Sequence, residues 1–440
     1  MSRMDDEAQK QDRRFKWKGR HLALAALVLL VGAISLYVAV RRDATERRLE
    51  ALRAAGYPTG FAELAQYNRP PQGAPNAADT YMRAFAAFVP PADWTALPSW
   101  TPTGLLRRGE PLPEGMVKAI SECQAANEEC LALVHEAAGI EHCRYDWDYS
   151  GLWPHLSTIG DCARLLQDKA LLCAHRGQIE AAMVCVLDGL RLGGALRRQP
   201  LVVSSLAGSH YCAIALRSLE RILSRAAVTD RQLRELSDVL AAIADSPGLV
   251  DTMITERGFM LGNCERFFAT KGLRSGSAIR WLPGAKERAL TDILDYMEAC
   301  VEAARLPGTR RMARFHEIRQ EVEGLSALHT VVKALVPMMG RIAERDLVFR
   351  TRLDLARTAL AVERYRLASR TLPATLDVLV PQYLKEVPLD PFDGRPIRYT
   401  LPTSGYVLYS VDTDGQDNGG CEQAEDESTA PCDLCFIVTR

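Results

Sequence analysis

Hydrophobic positions follow three patterns along the chain. From Leu22 to Val40 they are continuous: nineteen residues carry no charge, preceded by Arg20 and followed by Arg41-Arg42. As a helix this run spans roughly 28 Å at about 1.5 Å per residue, close to the hydrocarbon thickness of a bilayer. A soluble core helix rarely opens and closes on arginines, and Val38-Ala39-Val40-Arg41 is a poor signal-cleavage site. Residues 21–42 therefore read as an uncleaved transmembrane helix that meets the lipid bilayer through 22–40. From 114 to 372 the apolar period becomes helical. Leu165, Leu166, Ala170 and Cys173 share a face over 159–175, and Ala181, Ala182, Cys185, Leu187 and Leu190 share one over 178–196, with Gly177 between them. Helices are also predicted over 202–226, over 230–244 with Asp230 as N-cap, and over 344–370, where Leu353, Leu360 and Leu367 recur every seven residues. Past 372 come short β-prone runs at 397–401, 406–411 and 436–439, with Pro402-Thr403-Ser404-Gly405 as a hairpin turn.

The intervening segments are punctuated by proline and glycine. Residues 43–55 predict a short charged helix. Pro70-Pro71, Pro75, Pro90-Pro91, Pro98, Pro102, Pro111 and Pro113 then break regular structure repeatedly, leaving one helix near 77–88. Residues 271–290 read as a loop holding Trp281, and the aromatic patch Trp147–Trp153 as a packing corner. The segment 174–182 resembles the turn of a tetratricopeptide repeat, with a Gly ending one helix and an Ala admitting the next. No 34-residue recurrence accompanies it, so irregular helical hairpins are expected. The predicted fold class is mainly α after one transmembrane helix, with a small C-terminal α+β module of one long helix and an antiparallel sheet. The expected division is 1–20 cytoplasmic tail, 21–42 transmembrane helix, 43–113 stalk and loop-rich segment, 114–343 helical domain and 344–440 C-terminal module.

Composition adds compartment and partner. Apolar residues make up 48%, enough for a substantial core, and a net charge of −1 gives no reason to expect nucleic acid as a partner. Seven Lys/Arg within 1–20 against five within 41–60 place the N-terminus in the cytoplasm. The bulk then lies on the far side of the inner membrane. Of twelve cysteines, Cys173, Cys185 and Cys212 fall on apolar helical positions and read as small buried hydrophobes. Cys421, Cys432 and Cys435 crowd one C-terminal loop and are candidates for a disulfide.

That loop is also acidic. From Tyr399 to Thr439 there is no Lys or Arg, yet Asp412, Asp414, Asp417, Glu422, Glu425, Asp426, Glu427 and Asp433 fall within it. Hard oxygen donors beside a Gly-rich turn suit calcium, although Gly415 and Gln423 depart from the EF-hand pattern. The Leu-Pro-Ala-Thr-Leu of 372–376, Tyr383-Leu384-Lys385, Pro388-Leu389-Asp390-Pro391, Tyr409-Ser410 and Asp414-Gly415-Gln416-Asp417-Asn418-Gly419-Gly420 occur in an informative order. This stretch of about 70 residues resembles the globular end of the major pseudopilin of type II secretion. The resemblance implies a long helix laid on a small antiparallel sheet and a calcium ion in the loop after the Tyr-Ser strand. Asp414 and Asp433 are its best-matched ligands, and Asp412 and Asp417 come next. The apolar segment lacks the pilin processing Gly and the Glu that follows it, and the long helix is internal, so polymerisation as a pilin is not expected. The whole layout resembles planctomycete-type single-anchor membrane proteins, a likeness that implies no activity.

Other chemistry is sparse. His316-Glu317 lacks the second His of a zinc helix. Cys432-x-x-Cys435 has no helix start to activate a thiol. His210 lies on an apolar helix and reads as a core or capping residue, while Glu256-Arg257 and Glu265-Arg266 look like surface ion pairs. No phosphate loop and no Gly-x-Ser-x-Gly elbow appears. Two functions from different classes follow: a non-catalytic binding or scaffold protein of the bacterial envelope with a protein partner, and an extracytoplasmic hydrolase assembled from scattered residues. A deep pocket of converging His, Asp and Glu between 140 and 320 would favour the hydrolase. An exposed groove on the helical body would favour binding.

Overall fold

The computed structural model describes residues 2–67, 69–99, 110–146, 149, 155–199, 201–245, 248–270, 282–326, 329–421 and 432–440. It is about 69% helical. Helix α1 (Ser2–Ala54) is continuous through the apolar run and the charged segment after it. It is the one described helix long and apolar enough to cross a membrane, and its apolar stretch is not buried against the rest of the chain. The last turns of α1 do touch the body. Leu49 is buried, Thr45 Oγ1 and Thr291 Oγ1 share a hydrogen bond of 3.2 Å, and Arg48 pairs with Asp295 at 2.6 Å and Glu298 at 2.9 Å. Thr291, Asp295 and Glu298 belong to α11 (Ala285–Ala304).

Residues 43–113, expected as a stalk and loop-rich segment, contribute buried residues to the body. Leu64 on α2 (Phe61–Gln66) and Tyr81 on α3 (Ala77–Ala86) are fully buried. Proline density interrupts the helices but does not keep the apolar residues between the breaks in solvent. The Asn76 side chain caps α3 and also donates to Arg144 O at 2.8 Å, tying the segment to the loop after α5 (Glu128–Ala138).

A hairpin of α4 (Glu114–Ala126) and α5 precedes α6 (His155–His175) and α7 (Ile179–Arg197), with Gly177 at φ 72° in the turn. Next come α8 (Val202–Arg225) and α9 (Asp230–Ala244). The cap of α9 is Thr229 and not Asp230, because Thr229 and Gln232 complete a reciprocal capping box. α7 and α8 cross at Gly193 and Gly208: a Cβ on Gly208 would lie 2.5 Å from Gly193 O, so the crossing brings backbone against backbone. Tyr149, from the patch expected to pack, stacks on Phe61 at 5.8 Å and is buried; 147–148 and 150–153 lie outside the described residues, as do 271–281.

Two large cores share a long helix, and α8 reaches both. The first is built by α3, α5 to α9 and the sheet. The second is built by α10 (Leu249–Ala269), α11 and α12 (Gly308–Glu323). α13 (Thr330–Ser369) is longer than the predicted 344–370 and runs through both, with Met339 and Ile342 in the second core and Leu353 to Val362 in the first. Where the cores meet, Asp346 is buried among three guanidinium groups: Arg197 of α7 at 3.4 Å, Arg311 of α12 at 3.6 Å and Arg350 at 3.0 Å. Arg197 also lies 4.2 Å over the Phe349 ring.

After α13 the antiparallel sheet has order β1 (Arg398–Thr400), β2 (Tyr406–Ser410), β3 (Leu434–Val438), with Gly405 at φ 106° in the first turn. It packs on α13 and is continuous with the first core. Tyr406 donates to Ala359 O at 3.4 Å, Glu220 of α8 accepts the Ile437 N–H, and Arg440 pairs with Glu363 at 2.6 Å. No packing boundary therefore separates 344–440 from the helices before it.

Two predictions follow from this buried polar framework. Asp346→Ala leaves Arg197 buried without its carboxylate and should cost about 3–5 kcal/mol in chemical denaturation of the full chain in detergent. A loss below about 1 kcal/mol would show that the three arginines do not need it. Second, Asp168 accepts from Ser99 Oγ at 2.6 Å and Glu256 from the Val202 N–H at 3.3 Å, and burial pushes both carboxyls up to about 7. Each binds its proton more readily folded than unfolded, so its stabilising share is complete below about pH 4 and is lost as pH rises through about 7. Denaturation at pH 5 and pH 8 should show the protein more stable at pH 5. Asp168→Asn or Glu256→Gln should narrow that gap, on the order of 2 kcal/mol each.

Candidate functional site

The predicted carboxylates share one loop without forming one ligand set. Asp433, buried just before β3, accepts the N–H groups of Asn418 at 3.2 Å and Gly420 at 2.7 Å. Asp417 accepts the Gly419 N–H at 3.0 Å and pairs with Arg398 Nε at 3.0 Å. These contacts hold its carboxyl below the usual range, the Gly419 hydrogen bond first and Arg398 after it. Asp414 accepts the Gln416 N–H at 3.0 Å and Asp412 the Thr413 N–H at 2.8 Å. Burial raises the Asp412 carboxyl, opposed by the Thr413 bond and by Arg352 of α13. Glu422, Glu425, Asp426 and Glu427 lie outside the described residues.

The cation in this region is the protein's own. Arg398 on β1 stands one residue before the stretch that lacks Lys and Arg. Its guanidinium reaches Asp390 at 2.9 Å, Asp393 at 2.5 Å and Asp417 at 3.0 Å. Asp390 is completely buried and also accepts from Ser410 Oγ, Val411 N and Phe392 N, at 2.9, 2.9 and 3.0 Å. Calcium needs six to eight oxygens around one point. Among the described residues no three His, Cys, Asp or Glu side chains converge in that way. Backbone donors and Arg398 engage both oxygens of Asp417 and of Asp433, while Asp412 and Asp414 each accept through one. Cys421 and Cys432 do come together. Their thiols are in hydrogen-bonding contact, and Asp433 N donates to Cys421 O at 3.0 Å. Cys435 Sγ donates to Asp433 O at 3.6 Å.

A second site was not singled out from sequence. α5, α6 and α7 enclose a groove of about 770 Å³. Leu131, Ala132, Leu166, Ala181 and Val184 supply its apolar floor, and Glu128, Glu180, Lys169 and His135 supply charge at its margins. The His135 ring Nδ1 shares a hydrogen bond of 2.9 Å with Asp188 Oδ2. Asp188 sits deep in the groove with its side chain 4% exposed, and its Oδ1 is buried with no hydrogen-bond partner among the described residues. Burial raises this carboxyl, and His135 opposes the rise. The signal was present in the chain, because Asp188 is the one charge between Ala181 and Leu190. Cys185 is the only Ser, Thr or Cys lining the groove among the described residues. Among those residues the side-chain hydrogen bond of His135 is to Asp188, and none joins its ring to a hydroxyl or thiol.

The other features expected to be inert behave variously. His316 shares a hydrogen bond of 2.9 Å with Gln320 on the surface of α12. Glu256 and Arg257, read as a surface ion pair, are both buried, and Arg257 lies 5.7 Å over the Tyr57 ring. Burial and nearby arginines, Arg217 first among them, lower the pKa of His210. Compared with known proteins, the chain matches no family model, no curated protein and no solved structure.

Arg398→Ala should leave Asp390 buried without its counter-charge and destabilise the full chain by roughly 3 kcal/mol. Melting of the wild type should superimpose in calcium and in chelator if Arg398 and the backbone donors are the only partners of these carboxylates. A calcium-dependent rise in melting temperature would show that the acidic loop reorganises into a cation site.

Proposed function

We propose that this protein is a single-pass binding protein of the bacterial inner membrane. Its N-terminus is cytoplasmic, its body lies outside the cytoplasm, and the groove between α5, α6 and α7 holds a short polypeptide segment. The Asp188 carboxylate carries this reading: a buried oxygen with no partner, at the base of an otherwise apolar groove, is completed by a ligand that brings an N–H or ammonium donor. A polypeptide supplies such a donor beside the apolar side chains that fit Leu131, Leu166 and Val184. Glu128 beside the groove favours a basic residue in that segment.

The hydrolase alternative is weaker on chemical grounds. His135 and Asp188 make a base and its orienting carboxylate, but no nucleophile adjoins them and the groove is open. The anchor reading draws on the apolar length of α1 and on the Lys/Arg excess before it. The long helix against a three-stranded antiparallel sheet agrees with the layout that the pseudopilin resemblance implies, which favours a place beside a secretion assembly in the envelope.

A photocrosslinking amino acid at Ala132 or Ala181 in living cells should yield polypeptide adducts. One at Glu317, on the surface of α12, should not. Leu131→Arg or Asp188→Ala should reduce the adducts by about tenfold or more, corresponding to about 1.4 kcal/mol or more of lost binding. Equal adducts from all three positions, or none from the groove, would reject the groove as the binding site. Protease added to spheroplasts should degrade the body, and full protection there would reverse the orientation.

A further inference from the structure

Two of the three helices around the groove carry a cysteine pair that sequence position alone does not join. Cys130 of α5 and Cys162 of α6 are both buried in the first core, with their Sγ atoms 3.7 Å apart. A disulfide has its sulfurs about 2.05 Å apart, so the pair needs a closure of less than about 2 Å. The geometry points to one disulfide, Cys130–Cys162, that staples α5 to α6 and so fixes two walls of the groove relative to each other.

Surroundings separate this pair from other buried thiols. Cys212 donates to Leu190 O at 3.6 Å, and Cys300 is hydrogen-bonded to Tyr296; each meets a group that cannot form a bridge. Cys130–Cys162 is sealed inside the core and has to close while the helices assemble.

The chemistry is thiol–disulfide exchange with a disulfide oxidant. The first protein thiolate attacks one sulfur of the oxidant, expelling one thiolate. The second protein thiol, as thiolate, then attacks the mixed disulfide and expels the other. One protein S–S bond forms, the oxidant's S–S bond breaks, and the two protons and two electrons leave on the two thiols released. The presence of this oxidant during folding rests on the exported placement proposed above; the pairing itself does not.

The full chain, extracted from membranes in detergent, should be denatured without reductant, alkylated and cleaved after Lys, Arg and Glu. A linked peptide joining Cys130 to Cys162 is expected, with Cys212 and Cys300 alkylated. Cys162→Ser should free Cys130 for alkylation. A parallel sample is reduced, denatured and refolded in detergent with oxidised glutathione. If the pair is reduced on isolation but becomes linked there, the pairing stands and the exported placement fails. If both thiols remain alkylatable after that treatment, or link to other cysteines, the disulfide is overturned.

Discussion

A carboxylate buried in the middle of a long helix must be neutralised where it stands, and Asp346 draws three guanidinium groups from α7, α12 and α13 to do so. Removing an ion from water costs several kcal/mol unless close partners replace the lost hydration. These contacts therefore select one arrangement of the three helices over any that slides them. α13 then carries the register onward. Ala359, whose carbonyl receives the Tyr406 hydroxyl, lies thirteen residues beyond Asp346, or roughly 20 Å along the axis. The sheet is placed by the same rod that joins the two cores. This is why the C-terminal strands pack against α8 and α13 and do not form a module of their own.

The same economy operates at the other end. α1 does not hand over to a tether after its apolar run. It continues as helix, buries Leu49 and pairs Arg48 with two acids of α11. A Cβ on Gly284 would already lie 3.1 Å from Val38, so the start of α11 comes close to the apolar part of α1. The described parts of 43–113 supply Leu64, Tyr81, Leu97 and Leu112 to the buried interior. Proline and glycine counts identify where regular structure stops, but they carry no information about where the pieces between them pack.

Much of the helical architecture was legible because amphipathic periodicity is local. The helices over 202–225 and 230–244, the hairpin around Gly177 and the three strands all follow from patterns within a few turns of chain. What escaped depends on partners distant in sequence. The acidic loop appeared to lack a counter-ion because charge was counted within a window, and Arg398 stands one residue outside it. β1 pairs Arg398 with Tyr409, which places the guanidinium beside the carboxylates that the window isolated. Cys173 and Cys185 read correctly as buried, but that Cys130 faces Cys162 depends on how α5 and α6 meet. Glu256 and Arg257 looked like an ordinary helical surface pair until α10 proved to be covered. At the α9 cap the difference is finer: Thr229 and Asp230 are both competent caps, and the Gln three residues after Thr229 decides between them.

Asp188 shows how far local reasoning extends towards function. A single acid within the apolar run of α7 is evident in sequence, but its meaning depends on what stands opposite. The structure supplies His135 on one oxygen and no partner among the described residues on the other. A catalytic carboxylate–imidazole pair acts by orienting a base toward a nucleophile or water in a site that closes around the reacting atoms. Here the walls are helices and the groove is open. In the binding function proposed above, the apolar floor gives affinity to an apolar side chain, while the unshared oxygen penalises a ligand that arrives without a donor. Helical walls would lose little conformational freedom when such a ligand docks, so selectivity in that proposal is set by the shape of the groove and by one hydrogen-bond acceptor.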